Sequence, residues 1–454
     1  MKFGTDLFFG LENRSVPIFL VLALASPAVG QEAPPPARVI EEIVVTAQKT
    51  EQSLQDVPIS VTAIDGDFVA EAGLTSLVDI VQYAPNVQFY EGQSLFASFN
   101  IRGFATPPLG FGLEPSVGLV IDDVAYGRST YAQDGVFDLE RLEVLRGPQG
   151  TLFGRNTVAG VMNMTTAEPS YEPNGNLTLG VGSLDERRLE GGVSFPLVDD
   201  VLAARFAFRA QGTKLDVYNT TRDEENDVDD LAARLKLLWE PSSNVSFHLT
   251  TWTSEQDVHG ALVQLAQATP RALEVFRELD PATEADEFDG RTSIDQRTES
   301  GRRVYAIAPK AVWSIGTLGP VSDFEVSAIG AWSKIDNPYV LDPDFSPITL
   351  GRISADGVSR YEQLSLELRA TGTTPAPFGF GEGLDFLVGA YADKIDAAVR
   401  QRFDVDLNGA LAYLAAGAKS EPSDVENLVP GLPPELFAFL DEITGASSLP
   451  DVLT

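Results

Sequence analysis
The sequence predicts an α+β plug domain inside a transmembrane antiparallel β-barrel, with the barrel incomplete in this chain. Three observations predict it. From residue 175 to about 400, apolar and polar residues alternate with period two. Residues 55–170 break that alternation and mix short strands with a helix. No apolar run after residue 30 reaches the ~20 residues that a membrane helix needs, so any crossing must use strands.

Residues 1–30 read as a signal peptide. Lys2 and Arg14 give a weakly basic start, and "VPIFLVLALA" is an apolar run of h-region length. Ala28 and Gly30 supply small residues, which places cleavage after Gly30. Residues 31–54 follow as a linker. It opens with the Pro-rich "QEAPPPAR" and carries the short β-branched run "EEIVVTA" at 41–47. On pattern alone, that run is either a strand awaiting a partner or the first strand of the next domain's own sheet.

Composition excludes several classes. The 454 residues hold 32 Lys+Arg against 66 Asp+Glu, a net charge of −34. No basic face exists in bulk for nucleic acid. With no cysteine, an exported chain has neither disulfides nor a thiolate metal site. Its two histidines, His248 and His259, show no local metal spacing. The acidic run "DEENDVDD", 223–230, lacks the spacing and glycine of a calcium loop and reads as a solvated loop. No catalytic constellation, resident metal or cofactor is expected.

In the domain at 55–170, "VPISVTAID" reads as a strand. "TSLVDIVQYAP" reads as a helix capped by Thr75 or Ser76 and stopped by Pro85. "FNIRGF", "SVGLVIDDV" and "RLEVLRG" read as short strands, and "GPQGTLFGRNTVAG" as glycine-allowed turns in a crowded space. Asp122 and Asp123 read as a turn pair, structural rather than catalytic. The second half, 171–400, holds about nine candidate strands. In "VLAARFAFRAQ", Leu202, Phe206 and Phe208 share a face opposite Arg205, Arg209 and Gln211. A soluble sandwich alternates in the same way. Trp239, Trp252, Trp313 and Trp332 near strand ends, with short turns alternating with long loops, favour a membrane barrel.

These features together resemble a TonB-dependent outer-membrane receptor of the siderophore-receptor type. "EEIVVTAQK" resembles the TonB box, and "SLQDVPISVTAI" the start of the plug. "FNIRGF", "VIDDVAYGR" and "DLERLEVLRGPQGTLFGRNTVAGVMNM" resemble the plug's later signatures. "VAGVMNM" departs from the family, which more often has a second glycine and β-branched residues there. The resemblance implies energised uptake of a scarce ligand, by default a ferric siderophore, across the outer membrane of a Gram-negative bacterium. The linker would lie in the periplasm and outer-membrane lipid around the barrel.

By resemblance, Glu42, Ile43, Val44, Val45, Thr46 and Ala47 form a mobile strand that adds to a sheet edge of TonB. Arg102, Arg146 and Arg155 match plug arginines that face barrel carboxylates. Phe89, Tyr90, Phe96, Phe99, Phe104 and Phe111 either stack on a ligand or pack the plug against the wall. The family barrel has about twenty-two strands, and this chain ends in "LPDVLT" within what reads as a fifth long loop, 401–454. The expectation is therefore the N-terminal part of a receptor. The alternatives are a non-transporting fragment or plug-only product, and an exported β-rich enzyme or adhesin.

Overall fold
The computed structural model describes residues 44–406 except 47–48, 51, 56, 93–95, 108–112, 135, 262, 287 and 376–382. Glu42, Ile43, Ala47 and Phe111 lie outside the described residues, as does the loop expected at 401–454 beyond 406; its first residues, 401–405, are strand instead.

The first part of the chain builds a mixed domain. Strands β1 (Val44–Val45) and β2 (Gln52–Ser53) pair with each other. β3 (Ser60–Asp65) leads into helix α1 (Gly66–Glu71), where the Asp65 carboxylate accepts from Asp67 N. Helix α2 (Leu77–Val81) is capped by Ser76, whose hydroxyl accepts from Asp79 N. β4 (Val87–Gly92), β5 (Phe96–Ile101) and β6 (Phe104–Ala105) form a three-stranded sheet. β7 (Val117–Ile121), β8 (Val124–Tyr126), β9 (Leu139–Arg146) and β10 (Gly160–Thr166) join β3 in a five-stranded sheet ordered β3-β9-β10-β7-β8. Only β10 and β7 run parallel. The short helix α3 (Gly150–Phe153) lies between β9 and β10.

Its core holds Leu77, Ile80, Phe99, Ile101, Leu142 and Met162, none more than 2% exposed. Gly147, at φ 92°, turns the chain out of β9. Gly160 brings β10 in so close that a Cβ there would lie 2.3 Å from the Leu145 carbonyl oxygen.

One large sheet follows. Its long strands are β11 (Asn174–Val181), β12 (Arg187–Val198), β13 (Leu202–Asn219), β14 (Glu224–Ser242) and β15 (Val245–His259), then β17 (Glu299–Leu318), β18 (Val321–Asp336), β20 (Gly351–Thr374) and β21 (Leu384–Val405). Each pairs antiparallel with the next. Two short strands, β16 (Arg291–Thr292) and β19 (Tyr339–Leu341), add to one end, and helix α4 (Pro270–Leu279) lies in the connection after β15.

Side chains alternate as the pattern predicts. On β13 and β14, Phe206, Leu231 and Trp239 are exposed, while Arg205, Arg234 and Lys236 are buried against the plug domain. This is an oily outer face around a charged inner one. The connections follow suit in part: 199–201, 243–244 and 319–320 are tight, and 260–298 and 337–350 are long, but the connection expected to be long between β13 and β14 is the tight turn 220–223.

Two expectations need correction. The acidic run at 223–230 is not a solvated loop. β13 and β14 continue through it, pairing Tyr218 with Glu225 and Gln211 with Asp230. Asp230 faces inward and accepts from Arg209 Nε at 2.9 Å, which an isolated charge run could not reveal. Trp252 is not an interface aromatic. It is 4% exposed, and its indole N–H donates to the Tyr126 hydroxyl at 3.4 Å.

Candidate functional site
The polar seam between plug and wall is where sequence-predicted and observed residues meet. Turn residues Asp122 (φ 48°) and Asp123 (φ 69°), between β7 and β8, point their carboxylates at the wall. Lys310 Nζ lies 2.7 Å and Arg369 Nη1 3.1 Å from Asp123. Lys236 reaches Glu168 at 2.6 Å, the Thr166 carbonyl at 2.9 Å and Asp122 at 3.4 Å. Arg205 clamps Asp138, with Nε to Oδ2 at 2.8 Å. Arg234 donates to the Phe137 carbonyl at 2.8 Å and stacks over its ring at 4.2 Å. Tyr131 donates to Ser333 at 2.9 Å.

The polarity is mostly the reverse of the expectation: acids on the plug meet bases on the wall. Of the three predicted arginines, Arg155 does reach the wall, bonding Asp393 as well as Glu114 of the plug. Arg146 bonds inside the plug, to the Pro85 carbonyl at 3.0 Å and to Ser60 and Thr62 hydroxyls. Its place on β9 beside β3 aims it across its own sheet. Arg102 is exposed at φ 54°, with its backbone N–H on Asn86. The missed wall bases were visible as the wet face of the alternating strands, but nothing in the sequence paired them with the plug.

Burial alone would raise the Asp123 carboxyl. Lys310 and Arg369 outweigh it and hold the group well below the usual carboxylate range. A folded value below the unfolded one, about 3.9, means the pairing is fully present above that pH and lost only as pH falls through the folded value. Asp123→Asn should therefore loosen the plug at neutral pH, read as a lower urea midpoint for plug release. The gap from wild type should close only in strong acid. A variant that matches wild type at pH 7 refutes the pairing.

The predicted TonB box is not unpaired. Val44 pairs with Ser53 and Val45 with Gln52. Val45 is fully buried among Val57, Val120, Leu145 and Val161. The Thr46 N–H donates to Glu143 Oε1 at 2.7 Å. Glu143, itself fully buried, also accepts from Arg141 Nε at 2.7 Å and Asn163 Nδ2 at 2.9 Å. Lys49 then reaches the wall at Glu367, 2.5 Å away. An apolar strand beside a plug sheet covers itself where a groove is available, which accounts for the departure from a free strand.

Among the predicted aromatics, Phe89 and Phe99 pack on each other in the core, with ring centroids 4.7 Å apart. Tyr90 and Phe104 are exposed. β5 begins at Phe96, whose side chain lies outside the described set. Phe99 also borders a cavity of about 310 Å³ between plug and wall, with Leu113, Arg128, Asn337, Arg360 and Tyr361. The Arg128 guanidinium lies 5.1 Å from the centre of the Tyr361 ring. A larger, more polar space of about 840 Å³ surrounds Lys49, Asp123, Lys310, Glu367 and Arg369.

A small α+β domain seated by ion pairs on the charged inner face of a long-stranded antiparallel sheet is the arrangement of a plug domain against a barrel-type wall. The family model for the TonB-dependent receptor plug domain matches residues 53–161. The pesticin receptor of Yersinia pestis is 31% identical over 162 residues, covering 35% of this chain and 24% of that one. The vitamin B12 transporter BtuB of Vibrio vulnificus is 33% identical over 145 residues, covering 32% and 23%. The structure of the ferric yersiniabactin uptake receptor FyuA from Yersinia pestis superposes with a TM-score of 0.60 at 20% identity, covering 76% of this chain and 50% of that one. The ferripyoverdine receptor of Pseudomonas aeruginosa, bound to ferripyoverdine, gives 0.61 at 14%, covering 78% and 44%. Residues 53–161 thus match the plug domain of TonB-dependent receptors, and the proteins this chain is similar to are receptors and transporters. The chain spans about a quarter of the curated relatives' length and about half of the solved chains'.

Proposed function
We propose that this chain serves TonB-driven uptake of a scarce ligand, most simply a ferric siderophore, across the outer membrane of a Gram-negative bacterium. The observation that carries this reading is the double attachment of the segment at Val44–Lys49. Its strand is clipped to the plug through Glu143, and Lys49 is clipped to the wall through Glu367. A pull on that strand by TonB acts directly on the seam that seats the plug. The seam is built from ion pairs and hydrogen bonds beside a polar space, which can exchange for water when pulled apart.

The ligand would enter at the cavity beside Arg128 and Arg360, where two guanidiniums and the Tyr361 ring suit an anionic, partly aromatic chelate. Names of relatives support a scarce ligand, since they include ferripyoverdine and ferrioxamine receptors and vitamin B12 transporters. The periplasmic address of the box follows from the same reading.

Val44→Pro tests it. Proline removes the strand donor that an added TonB strand would need. Uptake of labelled ferric siderophore by cells should be abolished, while binding at 0 °C without energy stays at the wild-type level. Loss of binding together with uptake would show that the substitution disturbs the plug instead.

A further inference from the structure
The polar space of about 840 Å³ holds a chain of charges that joins two parts of the plug domain far apart in sequence. Lys49, in the turn after the box strand, meets Glu367 of β20 at 2.5 Å. Arg369, two residues on along the same face of β20, gives Nε to the same oxygen, Glu367 Oε1, at 2.5 Å. Its Nη1 reaches Asp123 Oδ1 at 3.1 Å. Lys310 of β17 closes the chain on Asp123 Oδ2 at 2.7 Å. The signs run plus, minus, plus, minus, plus.

Two members are shared. Glu367 Oε1 holds two cations, and Arg369 divides itself between two carboxylates. The side chains of Lys49, Glu367 and Arg369 are 10%, 12% and 8% exposed, so salt screens little between them. While Lys49 sits on Glu367 it offsets part of that carboxylate's charge, repels Arg369 and attracts Asp123. The first two effects drive Arg369 toward Asp123, and the third adds to the hold on Asp123 itself. With Lys49 gone, Glu367 keeps one cation and draws the guanidinium to itself. The Arg369–Asp123 contact, the longest of the four, yields first, and Asp123 is left to Lys310.

We propose that Glu367 and Arg369 are a relay between the box turn and the Asp122–Asp123 turn: Lys49 in place strengthens the wall's hold on Asp123, and its withdrawal weakens that hold. The coupling is reciprocal, so a plug loosened at Asp123 releases Lys49 more easily. Lys49 and Asp123 share no hydrogen bond or ion pair among the described residues, so contact between them runs through β20. The use of the relay in uptake rests on the reading of Val44–Lys49 as the segment that TonB pulls. The coupling itself is a property of the seam and exists without TonB.

The chain has no cysteine, so Thr50→Cys carries a single nitroxide, read in the full chain in detergent without TonB or ligand. Asp123→Asn, which leaves both partners of the Lys49–Glu367 contact intact, should raise the ratio of mobile to immobilised label at least about fivefold. Arg369→Gln breaks the relay yet leaves each acid a cation, Lys49 on Glu367 and Lys310 on Asp123. In that background Asp123→Asn should no longer move the label. Urea midpoints for plug release should fall less in the Lys49→Met, Asp123→Asn double variant than the two single falls together. That comparison decides the matter if Arg369→Gln fails to fold. Three outcomes overturn the proposal: a label unmoved by Asp123→Asn, additive midpoints, or a label shift that survives Arg369→Gln. The last would mean that a loosened plug drags the box strand with it through Glu143. None of these outcomes bears on uptake in Val44→Pro, and a failure of that uptake test leaves the coupling standing.

Discussion

Lys236→Met should unseat the plug, lowering its retention by about 3–5 kcal/mol. Lys236 projects inward from the middle of β14, and its side chain is 3% exposed. Its ammonium holds three acceptors from the plug and its exit strand: Glu168, the Thr166 carbonyl and Asp122. Methionine has nearly the same length and fills the space, so packing is kept. What changes is charge. Asp122, 10% exposed on its side chain, is left facing apolar atoms where it had a cation, and the Thr166 carbonyl loses its donor. Removing one member of a buried pair costs more than the pair is worth, because the partner remains desolvated.

Asp122 also accepts from Thr166 N and Oγ1, at 2.8 and 2.7 Å. The carboxylate is therefore not free to turn to water, and the loss cannot relax away. The measurement is urea release of the plug, followed by protease cutting between residues 60 and 166, with the strand signal as a control. The midpoint for release should fall while the sheet's own unfolding holds. Lys236→Arg should restore part of the loss. A plug as resistant in Lys236→Met as in wild type would mean that apolar contacts alone seat it.

Much of this architecture was legible, and the reason is physical. Period two decides which side of a strand faces the plug, so Arg205, Arg209, Arg234 and Lys236 could be assigned to a wet face without a structure. Ser76 as a helix cap and Asp122–Asp123 as a turn are local events set by a few neighbouring residues.

What failed was tertiary. The run at 223–230 looked like a loop because its charge is high. It is strand because β13 extends alongside it and Arg209 meets Asp230. Arg146 looked like a wall contact by resemblance, and its position on β9 next to β3 turns it inward on its own domain. The box strand looked free because its groove is made by Val57, Val120, Leu145 and Val161, the last of them 116 positions after Val45. Those partners exist only once the five-stranded sheet has formed.

The same groove gives the second large effect. Glu143→Gln should release the Val44–Thr46 strand from the plug. Glu143 lies in the middle of β9, fully buried, and its carboxylate accepts from Thr46 N, Arg141 Nε and Asn163 Nδ2, all within 2.9 Å, and from the Thr46 hydroxyl at 3.3 Å. A carboxylate accepts from all of them at once. Glutamine is the same shape but has one oxygen and an NH₂, so one donor meets another donor and Arg141 loses the nearer of its two carboxylates, keeping Glu140 at 3.5 Å. An unsatisfied buried group costs about 1–3 kcal/mol, and more where a charge is involved.

That loss falls on a short attachment. The β1–β2 ladder is only two residues long, and Val45 is the one fully buried apolar group described in the box. Burying one valine contributes about 1.5–3 kcal/mol, no more than the loss of the Glu143 anchor. The strand should therefore leave while the five-stranded sheet, built on β3, β7, β9 and β10, persists.

A spin label at Thr50 would report the change as a shift from an immobilised to a mobile line shape, with no ligand added. Lys49→Met, which removes the Glu367 contact on the wall side, should produce a smaller shift in the same direction. If the label in Glu143→Gln stays immobilised while the plug remains folded, apolar burial of Val45 is enough to hold the strand. Glu143 would then serve only the stability of β9 and β10.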